Sequence, residues 1–313
     1  MKYFDLHCDT LFSIARDGGT LLRREGHIDL QRAQCFDQYA QVFALYCGDQ
    51  PLNDAESAHR MFRKLLDTAQ EQFRSAAGQL MHCCTAADLA EAERQGKAAA
   101  FLSIEGAELL QSEEDFYAAV DAGVCIVTLA WNHDSLYACG ALSDQRKGLT
   151  ADGKRLVHAL ERNGIVPDVS HLSERGFWDL MEITDAPVCA THSNSAAVCP
   201  HSRNLGDEQF CELVRRGGLI GLNGYAAFVA PKRRVRIADL FPHIDHWMEL
   251  GGEDSLAIGA DFDGCDSLPK GISDIRSMAA LENEMRRHGY SETLRQKLFY
   301  DNAARFVREQ FTC

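Results

Sequence analysis

Short apolar, β-prone runs recur along the chain at residues 2–6, 41–46, 98–104, 124–130, 165–169, 187–191, 219–223 and 256–260. Between them lie stretches of helical period at 54–72, 154–163, 173–183, 207–215 and 242–250. A further helix is predicted from Ser112-Glu113-Glu114-Asp115, which has capping-box spacing ahead of Phe116, Ala119 and Val120. Pro242 falls in the first turn of the 242–250 helix, where its missing N–H costs nothing.

This alternation predicts βα units. Eight of them in about 300 residues suit one (β/α)8 TIM barrel, with 1–313 as a single catalytic domain. Residues 278–287 and 291–308 read as additional C-terminal helices. A doubly wound open sheet is the alternative, but it wants a glycine-rich phosphate turn after its first strand. Asp5-Leu6-His7-Cys8-Asp9 is not one.

Composition narrows the function classes. The 313 residues are 46% hydrophobic, enough for a large core, and the formal net charge is −14 with no block of like charge. That balance argues against nucleic acid or an anionic membrane surface as a partner. No apolar run reaches the 18 residues of a membrane span, and Met1-Lys2-Tyr3-Phe4-Asp5 does not open a signal peptide. The twelve cysteines stand singly, apart from Cys83-Cys84, and form no CxxC pair. Mostly buried thiols in a reducing cytoplasm are the expectation.

The chemistry sits at the C-terminal ends of the predicted strands. The first ends in His7-Cys8-Asp9, the third in Glu105, the fifth in His171, the sixth in His192 and the eighth in Asp261. A barrel brings these ends to one face, where active sites are built. Residues i and i+2 of a strand point the same way, so His7 and Asp9 can reach one ion together. His171 and His192 would serve a second, and the two oxygens of Glu105 could bridge the pair. Imidazole and carboxylate suit zinc at about 2.0–2.2 Å. Two such ions can share a hydroxide and polarise a scissile carbonyl. Asp261, facing them, is a candidate proton shuttle.

Each feature also has a bland reading. An HxD triplet is common, Glu105 could cap a helix, and a single His171 or His192 is more often a hydrogen-bonded histidine. Their joint placement at strand ends is what favours metal. His27, His59, His82, His158, His201, His243, His246 and His288 are read as surface, loop or helix positions, and Arg203 alone as a surface ion-pair residue.

The runs Asp5-Leu6-His7-Cys8-Asp9-Thr10, Ser103-Ile104-Glu105-Gly106 and Pro167-Asp168-Val169-Ser170-His171-Leu172 resemble the renal (membrane) dipeptidase family of zinc peptidases. So do Thr191-His192-Ser193-Asn194, Ser202-Arg203-Asn204-Leu205, Ile258-Gly259-Ala260-Asp261-Phe262-Asp263-Gly264 and Asp301-Asn302, in order over essentially the whole chain. The resemblance implies a binuclear zinc exopeptidase with two Zn2+ per chain, though other divalent ions could substitute. By similarity, His7 and Asp9 bind one zinc, His171 and His192 the other, and Glu105 bridges them. Asp261 would contact the substrate amine and pass a proton to the leaving nitrogen, and Arg203 would pair with the free carboxylate. The expected substrate is a small dipeptide, including ones with a C-terminal D-residue. A homodimer is the assembly that related enzymes often show. Without a secretion signal or lipid-anchor tail, the chain resembles soluble bacterial members.

One position departs from the family. Where mammalian members carry a histidine after the fourth strand, this chain has Trp131, followed by Asn132 and His133. His133 or Asn132 could stabilise the oxyanion instead, or both could be plain loop residues. Tyr137, Tyr225 and Phe228 are candidates to line the substrate pocket. Two other functions fit the same residues: a binuclear amidohydrolase acting on an N-acyl amino acid or lactam, and a non-catalytic peptide or metal binder.

Overall fold

A computed structural model describes residues 1–49, 52, 54–232 and 234–311. Nine parallel strands are present: β1 (Lys2–Cys8), β2 (Gln38–Tyr46), β3 (Leu80–His82), β4 (Ala98–Glu105), β5 (Val124–Thr128), β6 (Val166–Asp168), β7 (Cys189–Ala190), β8 (Leu219–Leu222) and β9 (Leu256–Ile258). Their order is β2-β1-β9-β8-β7-β6-β5-β4-β3, and a β2–β4 pairing closes the ring. The closing register runs from Ala40 opposite Ala99 to Tyr46 opposite Glu105. The barrel is therefore eight-stranded, with helices between strands.

The ninth strand is an addition to the eight expected. β3 pairs with Ala98, Ala99 and Ala100 at the start of β4, on the edge that β5 takes over from Leu102. Three residues without alternation give no sequence signal. The helix after it, Ala86–Gln95, also escaped the apolar pattern, although Thr85 and Asp88 form a reciprocal capping box and Gly96 ends it at φ +63°. The Ser112 cap is present, with its side chain accepting from the Asp115 N–H.

The tail departs from the expected single helix over 291–308. It is broken into Glu292–Gln296, a π-helical turn at Lys297–Asp301 and a last helix, Asn302–Gln310. The wider turn buries Leu298, Phe299 and Tyr300 in succession. Asn302 then donates to the Glu253 and Leu256 carbonyls at 2.9 and 2.7 Å. This last helix closes the barrel end opposite the site. Its Ala303, Phe306 and Val307 join Phe4, Leu6, Val42 and Phe101 in the inner cluster. Phe4 and Phe101 stack there with ring centres 5.7 Å apart.

The eleven described cysteines are free, and seven of them are buried. No helix among the described residues is long and apolar enough to cross a membrane.

Candidate metal centre

Six of the sequence-predicted residues come together at the mouth of the barrel. His7 is the penultimate residue of β1, Asp9 lies just beyond the strand, and Glu105 closes β4. His171, His192 and Asp261 follow β6, β7 and β9 by two or three residues. All six are at least nine-tenths buried.

Local backbone departures aim several of them. The register of β1 against β2 shifts between Asp5 and Cys8. Leu6 packs in the inner cluster and Cys8 in the outer one, so the two-residue alternation breaks there. Asp9 is not extended either, standing at φ −99°, ψ 24° as the N-cap of helix Thr10–Asp17. His7 and Asp9 therefore converge through a bulge and a helix start, not through strand alternation. His171 and Asp261 both hold positive φ, 67° and 61°. The chain turns out of β6 and β9 sooner than the apolar runs suggest. Such backbone outliers are held in place only by their surroundings and concentrate at functional sites.

Glu105 stands at the centre. Its Oε1 is 2.8 Å from His171 Nε2 and 3.5 Å from His192 Nε2, while Oε2 is 3.3 Å from His7 Nε2. His7 Nε2 lies 3.8 Å from Asp9 Oδ2 and 3.9 Å from Asp261 Oδ1. Two overlapping clusters result, each with ligand atoms close enough to hold an ion: His7–Glu105–His192 and His7–Asp9–Asp261.

The hydrogen bonds fix which nitrogens carry protons. His171 Nδ1 donates to Asn132 Oδ1 at 2.8 Å. Thr191 spends its hydroxyl proton on Asp168 Oδ2 at 2.6 Å, so it accepts from His192 Nδ1 at 2.8 Å. Asp168 is fully buried and is held in turn by Thr128 and by the Ser170 and Thr191 N–H groups. Both Nε2 atoms are thus left with lone pairs, and they point at each other 2.7 Å apart beside a carboxylate oxygen. Burial keeps both imidazoles neutral, aided by Arg203 at His171 and by His7 at His192. Three converging lone-pair donors need a cation between them.

The other half of the site is richer in negative charge. Burial opposes a charge on His7, yet Glu105 and Asp9 raise it well above the usual imidazole range. Burial, with the charge of Asp9, pushes Glu105 up to about 8. Asp261 rises to about 6 through burial, with His7 opposing and Asp9 adding. His7 Nε2, Asp9 Oδ1 and Glu105 Oε2 are buried with no hydrogen-bond partner. Orphaned buried polar atoms of this kind are costly alone and expected of ligand atoms. Gly264 fits because it has no side chain: a Cβ there would overlap Asp9 Oδ2 and Asp261 Oδ1.

Arg203 is no surface ion-pair residue. It is 3% exposed, with no carboxylate within ion-pair distance among the described residues. One Nη donates to the His192 carbonyl at 3.3 Å, and Nε has no partner. Burial lowers it to about 10, so it stays cationic at neutral pH. Phe228 lies beneath it at 5.4 Å and Tyr225 against Phe228. Tyr137 is elsewhere, its hydroxyl bound to the Leu110 carbonyl. Trp131 packs between Tyr46 and His171, at 5.4 and 5.9 Å between ring centres. His133 is not brought into the cluster. It is exposed and leans edge-on against Trp131.

Asn223, just past β8, went unrecognised in the sequence. Its amide donates to the His192 carbonyl and to Asp261 Oδ2, both at 3.2 Å. Its sequence signal is slight, a polar residue closing an apolar run at the one late strand end without an ionisable group. Thr191 and Asp168 were visible only as part of longer motifs.

The chain matches the family model described as membrane dipeptidase (peptidase family M19) over residues 1–312. A solved dipeptidase described as a metallo peptidase of family M19 is 30% identical, with 100% of this chain and 99% of that one covered and a TM-score of 0.90. A metallo peptidase from Rhodobacter sphaeroides, solved with a phosphinate mimic of the dipeptide L-Ala-D-Ala, is 28% identical over 99% of each chain, with a TM-score of 0.89. A dipeptidase from Claviceps purpurea (strain 20.1) is 27% identical over 98% of this chain and 73% of its own length.

Proposed function

The chain belongs to the membrane dipeptidase family, peptidase family M19, and on that premise we propose that it cleaves small dipeptides at two zinc ions held by His7, Asp9, Glu105, His171 and His192. The observation that carries this reading is the meeting of the His171 and His192 lone pairs with Glu105 Oε1. The nitrogen and carboxylate donors fit zinc; the two clusters overlap at His7, and Glu105, with Oε1 toward His171 and His192 and Oε2 toward His7, is placed to serve both ions. When bound, the pair supplies Lewis-acid polarisation of the scissile carbonyl and an activated water.

The protein's own groups do the rest. Arg203 would take the free carboxylate of the dipeptide, for which its unpartnered Nε and buried charge are prepared. Asp261, steadied by Asn223, would hold the substrate ammonium and deliver a proton to the leaving nitrogen. Binding both ends of the substrate restricts it to dipeptides. Trp131, packed against His171, is proposed to contact the substrate, and His133, edge-on against it, is the proposed donor to the developing oxyanion. Asn132 is the alternative donor, since accepting from His171 through Oδ1 leaves its amide N–H groups available. The L-Ala-D-Ala mimic bound by the Rhodobacter sphaeroides relative supports including a C-terminal D-residue among the substrates. The proposal extends to a cytoplasmic homodimer with 1–313 as one catalytic domain.

The test is a panel of L,L and L,D dipeptides assayed with chelated and zinc-reloaded protein, alongside metal analysis. Hydrolysis that returns with about two zinc ions per chain is expected. Full activity after complete chelation would sink the reading. Within the same panel, Arg203→Ala should raise KM about 10–100-fold while leaving kcat less affected, the loss of ~1.5–3 kcal/mol from a charge-assisted bond.

A further inference from the structure

A cavity of about 520 Å³ opens beside the metal centre and is lined at its base by His171, Ser193 and Arg203. Its lining changes character with depth. At the base, Arg203 Nε and Ser193 Oγ are both almost fully buried and lack any hydrogen-bond partner. Buried apolar side chains, Leu172, Phe177 and Leu205 among them, make the walls. At the mouth stand the exposed carboxylates of Glu174 and Glu208.

These two carboxylates face no cation within ion-pair distance among the described residues. The adjacent Arg175 is engaged by Asp179 and Glu182, and neighbouring Asp207 is bound by His246. Each lies in the first turn of its helix, Glu174–Ile183 or Asp207–Arg215, where exposed N–H groups favour a negative charge. The helix starts explain why the charges are tolerated. They do not explain why two of them flank one cavity that ends on a buried arginine whose Nε has no partner.

Read from base to mouth, the lining complements a carboxylate, then an aliphatic stem, then a positive tip. We propose that this cavity selects dipeptides whose C-terminal residue is long and basic, lysine or arginine. The residue's carboxylate sits on Arg203, with Ser193 as a second donor, and its side chain runs outward to Glu174 and Glu208. This rests on the dipeptidase reading above and adds the substrate class to it. The volume is ample for such a side chain, since small-molecule sites run to roughly 300–1,000 Å³.

The comparison that isolates the tip charge is Ala-Lys against Ala-norleucine, which share a stem, measured on the zinc-loaded full-length protein with Ala-Ala as reference. A kcat/KM ratio of about five- to tenfold in favour of Ala-Lys is expected, falling as salt is added because the carboxylates are exposed. The double variant Glu174→Gln, Glu208→Gln should bring that ratio to about one. Equal rates for the two substrates, or a lysine preference that survives the double variant, overturns the assignment. Turnover of Ala-Ala without lysine preference rejects the cavity's role alone. No turnover on any of the three rejects the dipeptidase reading and this one with it.

Discussion

Glu105→Gln is expected to abolish turnover and to leave the protein unable to retain a full complement of metal. The carboxylate touches both halves of the site, through Oε1 to His171 and His192 and through Oε2 to His7. The amide has the same shape but no negative charge, and one end of it carries protons where a lone pair is needed. With several kcal/mol of charge stabilisation removed at the reacting centre, kcat/KM should fall by about 10³-fold or more. Elemental analysis should find clearly fewer than two ions per chain. Stability should move in opposite directions in the two states. In chelated protein, Glu105 is a buried group pushed up to about 8 by burial and by Asp9. Neutralising it relieves that cost, so the chelated variant should melt a few degrees above the chelated parent. In zinc-loaded protein the order reverses, because the variant forfeits the linkage to bound metal. Wild-type zinc content in Glu105→Gln would remove Glu105 from the ligand set.

Much of this site was legible in the sequence because a parallel barrel converts one-dimensional order into one face. Each proposed ligand lies within three residues of the end of an apolar run, and closure of β2 against β4 gathers the run ends. What the residues did not disclose lies where the chain stops being a strand. The β1 bulge and the positive φ of His171 and Asp261 are set by tertiary contacts, so alternation anticipated the approach of His7 and Asp9 from the wrong geometry. Asn223 carries no charge and was invisible to a search for ionisable strand ends. Arg203 shows the opposite case. Nothing local separates it from a surface arginine, and its burial follows from packing on Phe228 beneath the His192 carbonyl. The short β3 and the π turn in the tail have no periodic signature, because each depends on an edge or a core already formed.

Asp261→Asn separates two roles that the geometry leaves adjacent. Asp261 Oδ1 is 3.9 Å from His7 Nε2, and with His7 and Asp9 it forms one of the two clusters able to hold an ion. It could therefore act on the metal directly or only on the substrate's protons. Its surroundings favour the second. Oδ2 is occupied by the Asn223 amide, and Asp9 with His7 would already serve the same ion. Asparagine is the informative replacement because it tolerates the left-handed backbone that position 261 requires, where most side chains would add strain. The carboxamide cannot accept and return a proton. The variant should keep its zinc and its fold, bind dipeptide, and lose about 10²–10⁴-fold in kcat. An equal loss of metal would move Asp261 into the ligand set, and turnover within tenfold of the parent would assign the proton transfer to another group. His133 is then the residue to examine next, since it is a titratable side chain that packs edge-on against Trp131 beside His171.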